Sequence, residues 1–203
     1  MFVIVRHGNT FERGETPRRI GARTDLPLTA TGHEQAQALG SYFAQQGVRF
    51  DHAIVSPLER TRQTAQAILA QQETPPQPEV CEFLREVDYG PDENQAENSV
   101  IARIGQSALD AWEREATPPE GWIVDTDMRL DQWRERLRNE RGRKRNTLVV
   151  ASNGSARFAL LADPGLSAAA KALGSLKLPT GGFGILRLND QGDWSISQWG
   201  SRP

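Results

Sequence analysis

The sequence lacks several features that define whole classes of protein. Its 203 residues include one cysteine and three histidines. The single Cys81 excludes an intramolecular disulfide and the zinc sites that are built from several cysteines, so nothing in the sequence requires an oxidising compartment. The sequence also lacks a large excess of either sign of charge, because 24 basic side chains nearly balance 26 acidic ones. That balance argues against a protein whose main task is to hold nucleic acid or an anionic membrane.

Long apolar runs are absent as well. Residues 2–5 are among the longest wholly apolar runs, and they fall far short of the about 18 residues that a membrane span needs. The same run is too short for the apolar part of a signal peptide. Hydrophobic cores usually divide only in chains longer than about 250 residues. We therefore expect one cytoplasmic domain that covers residues 1–203.

Three short apolar runs, at residues 2–5, 53–55 and 147–151, are rich in β-branched side chains. Each run leads into polar residues. Uninterrupted apolar runs of this length are typical of strands that are buried on both faces of a mostly parallel sheet. The sequence therefore predicts three parallel strands of such a sheet.

Helical patterns lie between these runs. The spacing of apolar residues predicts a helix over residues 31–46, in which Thr31 and Glu34 form a capping box. A second capping box at residues 56–59 predicts a helix that reaches about residue 71. The alternation of strands and helices predicts an α/β fold with a mostly parallel central sheet and helices on both faces.

The second half of the sequence has three further features. Residues 96–145 are helical in pattern with one break at residues 117–121, and we interpret residues 91–145 as an insertion that contains two helices. Residues 134–146 are rich in basic side chains. This stretch is either a nucleic-acid-binding patch or a solvated face of a helix. The second interpretation is favoured, because the chain is net acidic and offers almost no aromatic platform there. Residues 183–188 and 194–199 flank a turn sequence and predict a C-terminal hairpin.

Chemically useful side chains follow all three predicted strands. Arg6 and His7 come at the end of the first strand, and Arg60 lies in the first helical turn after the second. Asn153 follows the third. Because the carboxyl ends of parallel strands meet at one sheet edge, we expect these residues to share a crevice. A neutral imidazole can attack phosphorus, and a guanidinium or a helix N-terminus binds phosphoryl oxygens.

Four segments carry a family resemblance. They read RHGNT at residues 6–10, GARTDLPLTATGHEQA at residues 21–36, SPLERTRQTA at residues 56–65 and LREVDYG at residues 84–90. In order and spacing they resemble the histidine phosphatase superfamily, which is also called the phosphoglycerate mutase-like family. Each motif alone is modest, but together they form a strong signal over most of residues 1–90.

The resemblance implies roles for residues of the predicted crevice. His7 matches the nucleophile, which forms a phosphohistidine, and Arg6 and Arg60 match two arginines that hold the phosphoryl group. Asn9 and the backbone near Gly21 match positions that line the same pocket. No metal or other cofactor is implied, because the arginines supply the positive charge that metal ions supply in other phosphoryl-transfer sites.

Glu86 resembles the family's proton donor, which protonates the leaving oxygen and then activates water. The sequence departs from the family at residues 152–155, where Asn153 stands in place of a second histidine. Asn153 and the following Gly154 are still expected to face the phosphate. An asparagine can donate a hydrogen bond but carries no charge, and charge-assisted hydrogen bonds are about twice as strong as neutral ones. Arg157 is a candidate for restoring part of that charge.

The leading hypothesis is hydrolysis of a small phosphomonoester through phospho-His7, with the insertion at residues 91–145 roofing the site and setting the substrate. A mutase would instead return the phosphoryl group to a bound product. Mutases of the family usually carry Gly-Trp after the first loop, whereas this sequence has Gly21 and Ala22. A third hypothesis is a phosphate-binding protein disabled by Asn153. The expected partner is a small phosphorylated molecule, with no nucleic acid or membrane, and the sequence leaves the oligomeric state open.

Overall fold

A computed structural model describes all residues from 1 to 203. Its strands are β1 Phe2–Arg6, β2 His52–Val55, β3 Glu79–Val80, β4 Thr147–Ala151, β5 Phe183–Leu188 and β6 Trp194–Ser201. They form one six-stranded sheet in the order β3-β2-β4-β1-β5-β6. The first four strands along the chain are parallel, and β5 and β6 join the β1 edge in antiparallel pairing. The three predicted parallel strands are confirmed as β1, β2 and β4.

Helices cover both faces of this sheet. They are α1 Ala30–Gln45, α2 Glu59–Leu69, α3 Glu97–Ile104, α4 Gln106–Glu115, α5 Thr126–Glu140, α6 Asn153–Ala156, α7 Phe158–Leu161 and α8 Pro164–Ala170. On one face, Leu39 of α1 shares a hydrophobic core with Val3 of β1. On the other face, Trp133 of α5 packs against Phe2. The predicted α/β fold with a mostly parallel sheet is therefore confirmed.

The helix starts differ from the predicted capping boxes. The side chain of Thr29, not Thr31, caps α1 by accepting a hydrogen bond from Gly32 N at 3.1 Å. Thr29 is kept outside the helix because its own N–H donates to Asn9 O at 3.0 Å. Ser56 does not cap α2, because the helix begins only at Glu59 with Leu58 as its N-cap residue, while the N–H of Ser56 still pairs with Val150 O at 3.0 Å.

The insertion at residues 91–145 contains three α-helices rather than the predicted two. α3 and α4 are separated at Gly105, whose φ of 81° lies in the left-handed region that favours glycine. α5 packs on the sheet, where the rings of Trp133 and Phe2 meet edge to face with centroids 6.0 Å apart. Only α3 and α4 therefore remain to border the carboxyl edge of the strands.

The remaining predictions concern the hairpin and the basic stretch. β5 and β6 pair antiparallel as predicted. Several basic side chains of residues 134–146 form ion pairs, among them Arg136 with Glu79 at 2.7 Å and Arg134 with Asp131 at 2.7 Å, in keeping with a solvated helix face. No helix of the structure is both long enough and apolar enough to cross a membrane.

Candidate active site

The carboxyl ends of β1 and β4 open into a cavity of about 800 Å³. The loop of residues 9–20 and parts of α3 and α4 form its outer walls. Five of the residues singled out in the sequence contact this cavity, namely Arg6, His7, Asn9, Glu86 and Asn153. The fold thus brings together side chains that lie far apart along the chain.

His7 follows β1 directly and is almost fully buried. Its Nδ1 lies 2.7 Å from Gly8 O. Because a carbonyl oxygen can only accept, Nδ1 carries the ring hydrogen and Nε2 keeps a free lone pair. Burial, together with the positive charges of Arg60 and Arg6, holds the pKa of His7 well below its usual value of 6.5. The imidazole is therefore neutral and presents an unprotonated nitrogen.

The two guanidiniums near His7 are held by backbone carbonyls. Arg6 Nη1 donates to Leu178 O at 2.8 Å, while Arg60 donates to Thr24 O at 2.8 Å and to Gly21 O at 3.3 Å. Neither has a carboxylate within hydrogen-bond distance, since Asp25 is 3.9 Å from Arg60. Arg60 is fully buried and does not itself line the cavity, but its charge acts on His7. The two cations thus leave net positive charge around the imidazole.

Asn153 begins α6 at the end of β4. Its Oδ1 accepts a hydrogen bond from Leu178 N at 2.9 Å. Since an N–H donor requires an oxygen acceptor here, the orientation of the amide is fixed and Nδ2 keeps both hydrogens. Leu178 therefore connects two parts of the site, because its N–H holds Asn153 while its carbonyl holds Arg6.

Glu86 lies just after a short 3₁₀ turn at Glu82–Leu84 and is buried at the cavity wall. Its Oε1 accepts from Val87 N at 2.8 Å, and its Oε2 accepts from Gly154 N at 2.9 Å. A Cβ on Gly154 would lie 2.2 Å from Oε1 of Glu86. The N–H of Gly154, predicted to face phosphate, is thus bound to the Glu86 carboxylate in this structure.

Asn9 and Gly21 occupy different places relative to the cavity. The backbone of Asn9 is docked on α1, where its N–H donates to Gln35 Oε1 at 2.8 Å, and Asn9 lines the cavity. Gly21 is not among the lining residues. Its N–H donates to Glu93 Oε1 at 2.8 Å and its carbonyl accepts from Arg60. Gly21 therefore contributes to the site by holding Arg60.

Arg157 does not provide the charge that the sequence suggested for it. Its guanidinium carbon lies 4.1 Å from the ring centroid of Trp112, and its Nη1 donates to Trp112 O. Burial lowers its pKa to about 10, so the side chain stays charged. Arg157 is fully buried and does not line the cavity, because the stacking on α4 turns it away.

Sequence reasoning missed the part of the outer wall that the loop of residues 9–20 forms. The guanidinium carbon of Arg19 lies 5.2 Å from the ring centroid of Tyr89 and 5.0 Å from that of Trp122, two rings that contact each other, and Arg19 pairs with Glu97 at 2.5 Å. These contacts fasten the loop of residues 9–20 to α3. The only sequence signal was the pair of adjacent arginines, Arg18 and Arg19, in a loop soon after His7.

Together, these features define an α/β protein with a crevice at the carboxyl edge of its sheet, in which a neutral histidine lies near two guanidiniums. Residues 2–202 match the family model described as the histidine phosphatase superfamily (branch 1). The chain belongs to that superfamily.

Similar proteins bear the names of both mutases and phosphatases. A 2,3-bisphosphoglycerate-dependent phosphoglycerate mutase from Rhizobium etli is 36% identical over 121 residues, which are 59% of this chain and 57% of that protein. The match therefore spans little more than half of that relative. A mycobacterial glucosyl-3-phosphoglycerate phosphatase has a similar structure, with a TM-score of 0.77, 20% identity and coverage of 100% and 99% of the two chains. The α-ribazole phosphatase of Shigella flexneri gives a TM-score of 0.70, 23% identity and coverage of 99% and 96%. At these identities the two structures establish the fold alone.

Proposed function

We propose that this protein is a phosphatase that hydrolyses a small phosphomonoester through a covalent phosphohistidine at His7. The observation that carries the proposal is the surroundings of that side chain. A neutral imidazole, with its Nδ1 hydrogen held by Gly8 O, lies near two guanidiniums that have no carboxylate within hydrogen-bond distance. Such a site can bind a phosphoryl dianion and attack it from Nε2.

The reaction consists of two displacements at phosphorus. In the first, Nε2 of His7 forms a bond to phosphorus while the bond to the leaving oxygen breaks, and Glu86 as a carboxylic acid gives that oxygen its proton. In the second, water attacks phosphorus and gives a proton to the Glu86 carboxylate. The P–N bond breaks, its electron pair returns to Nε2, and inorganic phosphate leaves.

Buried donors without partners support phosphate binding. Nε of Arg6 and Nε of Arg60 are both buried and make no hydrogen bond within the protein. Leaving a buried donor unpaired costs about 1–3 kcal/mol. A phosphoryl group beside His7 would bring three acceptor oxygens and a negative charge to this region. Asn153 would add its free Nδ2, although as a neutral donor.

A mutase is the second candidate, and the name of the Rhizobium etli relative favours it. A mutase would use the same phosphohistidine but return the phosphoryl group to a bound product. The two functions therefore differ only in the acceptor of the second step. We favour water, because this sequence has Ala22 after Gly21 where mutases of the family usually have tryptophan.

The proposal is tested by offering purified protein a panel of phosphomonoesters and measuring inorganic phosphate. In parallel, acid-labile label is trapped in alkaline denaturant and mapped to a peptide. We expect phosphate release and label on His7, and neither in His7→Ala. His33→Ala serves as the matched control, because His33 is exposed on α1.

Three results would contradict the proposal. Undiminished phosphate release by His7→Ala would show that His7 is not the nucleophile. Transfer of label to a second organic acceptor without phosphate release would identify a mutase. A wild type that binds phosphate but is inert towards every ester, and that gains hydrolysis as Asn153→His, would identify a disabled binding protein.

A further inference from the structure

The backbone just before Glu86 is held by an unusual set of side chains. Arg129 Nη1 donates to Phe83 O and to Arg85 O, both at 2.8 Å. Between these two carbonyls, Leu84 O accepts from Ser155 Oγ at 2.8 Å. Three consecutive carbonyls that lead into Glu86 therefore each have a buried side-chain donor.

Arg129 is out of place by ordinary packing rules. It belongs to the buried side of α5 together with Trp133 and Leu137, which pack in the core beneath the sheet. Its guanidinium carbon lies 6.0 Å from the ring centroid of Phe158. No acidic side chain pairs with it, and its Nε is buried without a partner. An apolar side chain would avoid the desolvation of a buried cation, so core packing does not explain an arginine here.

The two carbonyl contacts provide an explanation. Nη1 of the guanidinium carries two hydrogens in a fixed plane, and it donates to both carbonyls. An apolar residue has no donor, and the three hydrogens of an ammonium rotate freely, so neither holds two acceptors in a fixed plane. By holding the carbonyls of residues 83 and 85, Arg129 fixes the turn from which the Glu86 side chain departs. The carboxylate at the end of that side chain is then received by Val87 N and Gly154 N.

We propose that Arg129 is a positioning residue for Glu86, and that it acts on proton transfer to the leaving group without touching the substrate. This inference rests on the proposed function. Arg129 is absent from the cavity wall, so its effect must pass through the turn and the carboxyl group. Displacement of a catalytic group by about 1 Å can cost on the order of 10²-fold in rate.

The test compares two leaving groups in single-turnover phosphorylation of His7. In Arg129→Met, we expect an alkyl phosphate to react at least about tenfold more slowly. 4-Nitrophenyl phosphate should change less than about threefold, because its leaving group departs without a proton. Arg134→Met is the matched control, since Arg134 is on the same helix but pairs with the exposed Asp131.

A double-mutant cycle shows whether Arg129 acts through Glu86. In a Glu86→Gln background, Arg129→Met should change the alkyl phosphate rate by less than about threefold, because the group that it positions is already gone. An equal loss for both leaving groups, or additive losses in the cycle, would overturn the inference in favour of a purely structural role. If Arg129→Met does not fold, Arg129→Lys is subject to the same two criteria.

A second readout does not depend on activity. Gly154 N–H lies in the first turn of α6 and is bound to Glu86. Its amide exchange should accelerate about tenfold or more in Arg129→Met but stay unchanged in Arg134→Met. Unchanged exchange in both variants would contradict the inference. If wild type transfers no phosphoryl group at all, the proposed function fails, while the exchange rates still decide whether Arg129 positions the carboxylate.

Discussion

The amide of Asn153 is fixed by Leu178, whose N–H donates to Oδ1 at 2.9 Å. This bond uses the oxygen end of the side chain and leaves the nitrogen end for an anion. An asparagine held in this way is a preorganised donor, although it lacks the charge of an imidazolium. The carbonyl of Leu178 holds Arg6 in turn.

Removal of this donor should slow catalysis. We expect Asn153→Ala to lower the rate of phosphate release on the order of 10²-fold, because one preorganised donor to the phosphoryl oxygens is lost. Asn153→His should preserve the rate if Leu178 N–H donates to Nδ1 of a neutral ring, since Nε2–H then takes the place of Nδ2, and should raise it if the ring is instead protonated at both nitrogens and charged. Steady-state phosphate release measures both effects. An unchanged rate in Asn153→Ala would make the residue a bystander.

Glu86→Gln should separate substrates by leaving group. A glutamine cannot give up a proton, so esters with poor leaving groups should slow by about 10²-fold or more, whereas activated aryl phosphates should lose far less in the phosphorylation step. Rapid-quench measurement of phospho-His7 formation isolates that step from the later attack of water. An equal loss for all leaving groups would assign Glu86 to binding or structure.

Gly154→Ala should disturb the site through Glu86. The new Cβ would lie 2.2 Å from Glu86 Oε1, so the carboxylate must move and its bond to Gly154 N is lost. We expect the selective loss seen with Glu86→Gln, of about tenfold or more for an alkyl phosphate. Gly165→Ala on α8 is a suitable control, because its Cβ would come no closer than 3.2 Å to any neighbour. Normal alkyl phosphate turnover in Gly154→Ala would contradict the placement of Glu86.

Stability should depend on pH through His7. Burial first, then Arg60 and Arg6, hold the folded-state pKa of His7 well below 6.5. Between pH 6.5 and the lower pKa of the folded state, the unfolded chain binds a proton at His7 that the folded protein does not bind. The free energy of unfolding therefore decreases as the pH falls through this range. The loss is up to about 1.4 kcal/mol per pH unit. Urea unfolding in phosphate-free buffer should show this slope in wild type and a flatter one in His7→Gln. His52→Gln is the control for the pKa of His52, which burial also lowers.

The sequence predicted the local parts of this site better than the distant ones. His7 and Arg6 could be placed because a buried strand leads directly into them, and Asn153 because β4 does the same. Glu86 has no strand before it, and only the resemblance to a family pointed to it. The structure adds that its carboxylate depends on Gly154 N, which lies 68 residues away along the chain.

Errors arose where tertiary contacts outweighed local preference. Thr31 fits a capping box, but the bond from Thr29 N to Asn9 O begins the helix earlier. The sequence suggests Arg157 as a source of positive charge beside Asn153, but its guanidinium stacks on Trp112 instead. Arg129 is a contact that local sequence could not predict. Nothing in the sequence of α5 indicates which of its arginines is buried and donates to Phe83 O and Arg85 O.

The placement of α5 links the thermal stability of this helix to the proposed phosphatase activity. Trp133 of α5 packs against Phe2 of β1. Four residues earlier on the same helix, Arg129 holds the turn before Glu86. Partial melting of this one helix would release Glu86, the proposed proton donor, while β1 and β4 were still paired. Release of phosphate from alkyl phosphates should therefore fail at a lower temperature than amide-exchange protection of β1 and β4, and substitutions that loosen Trp133 should widen that gap.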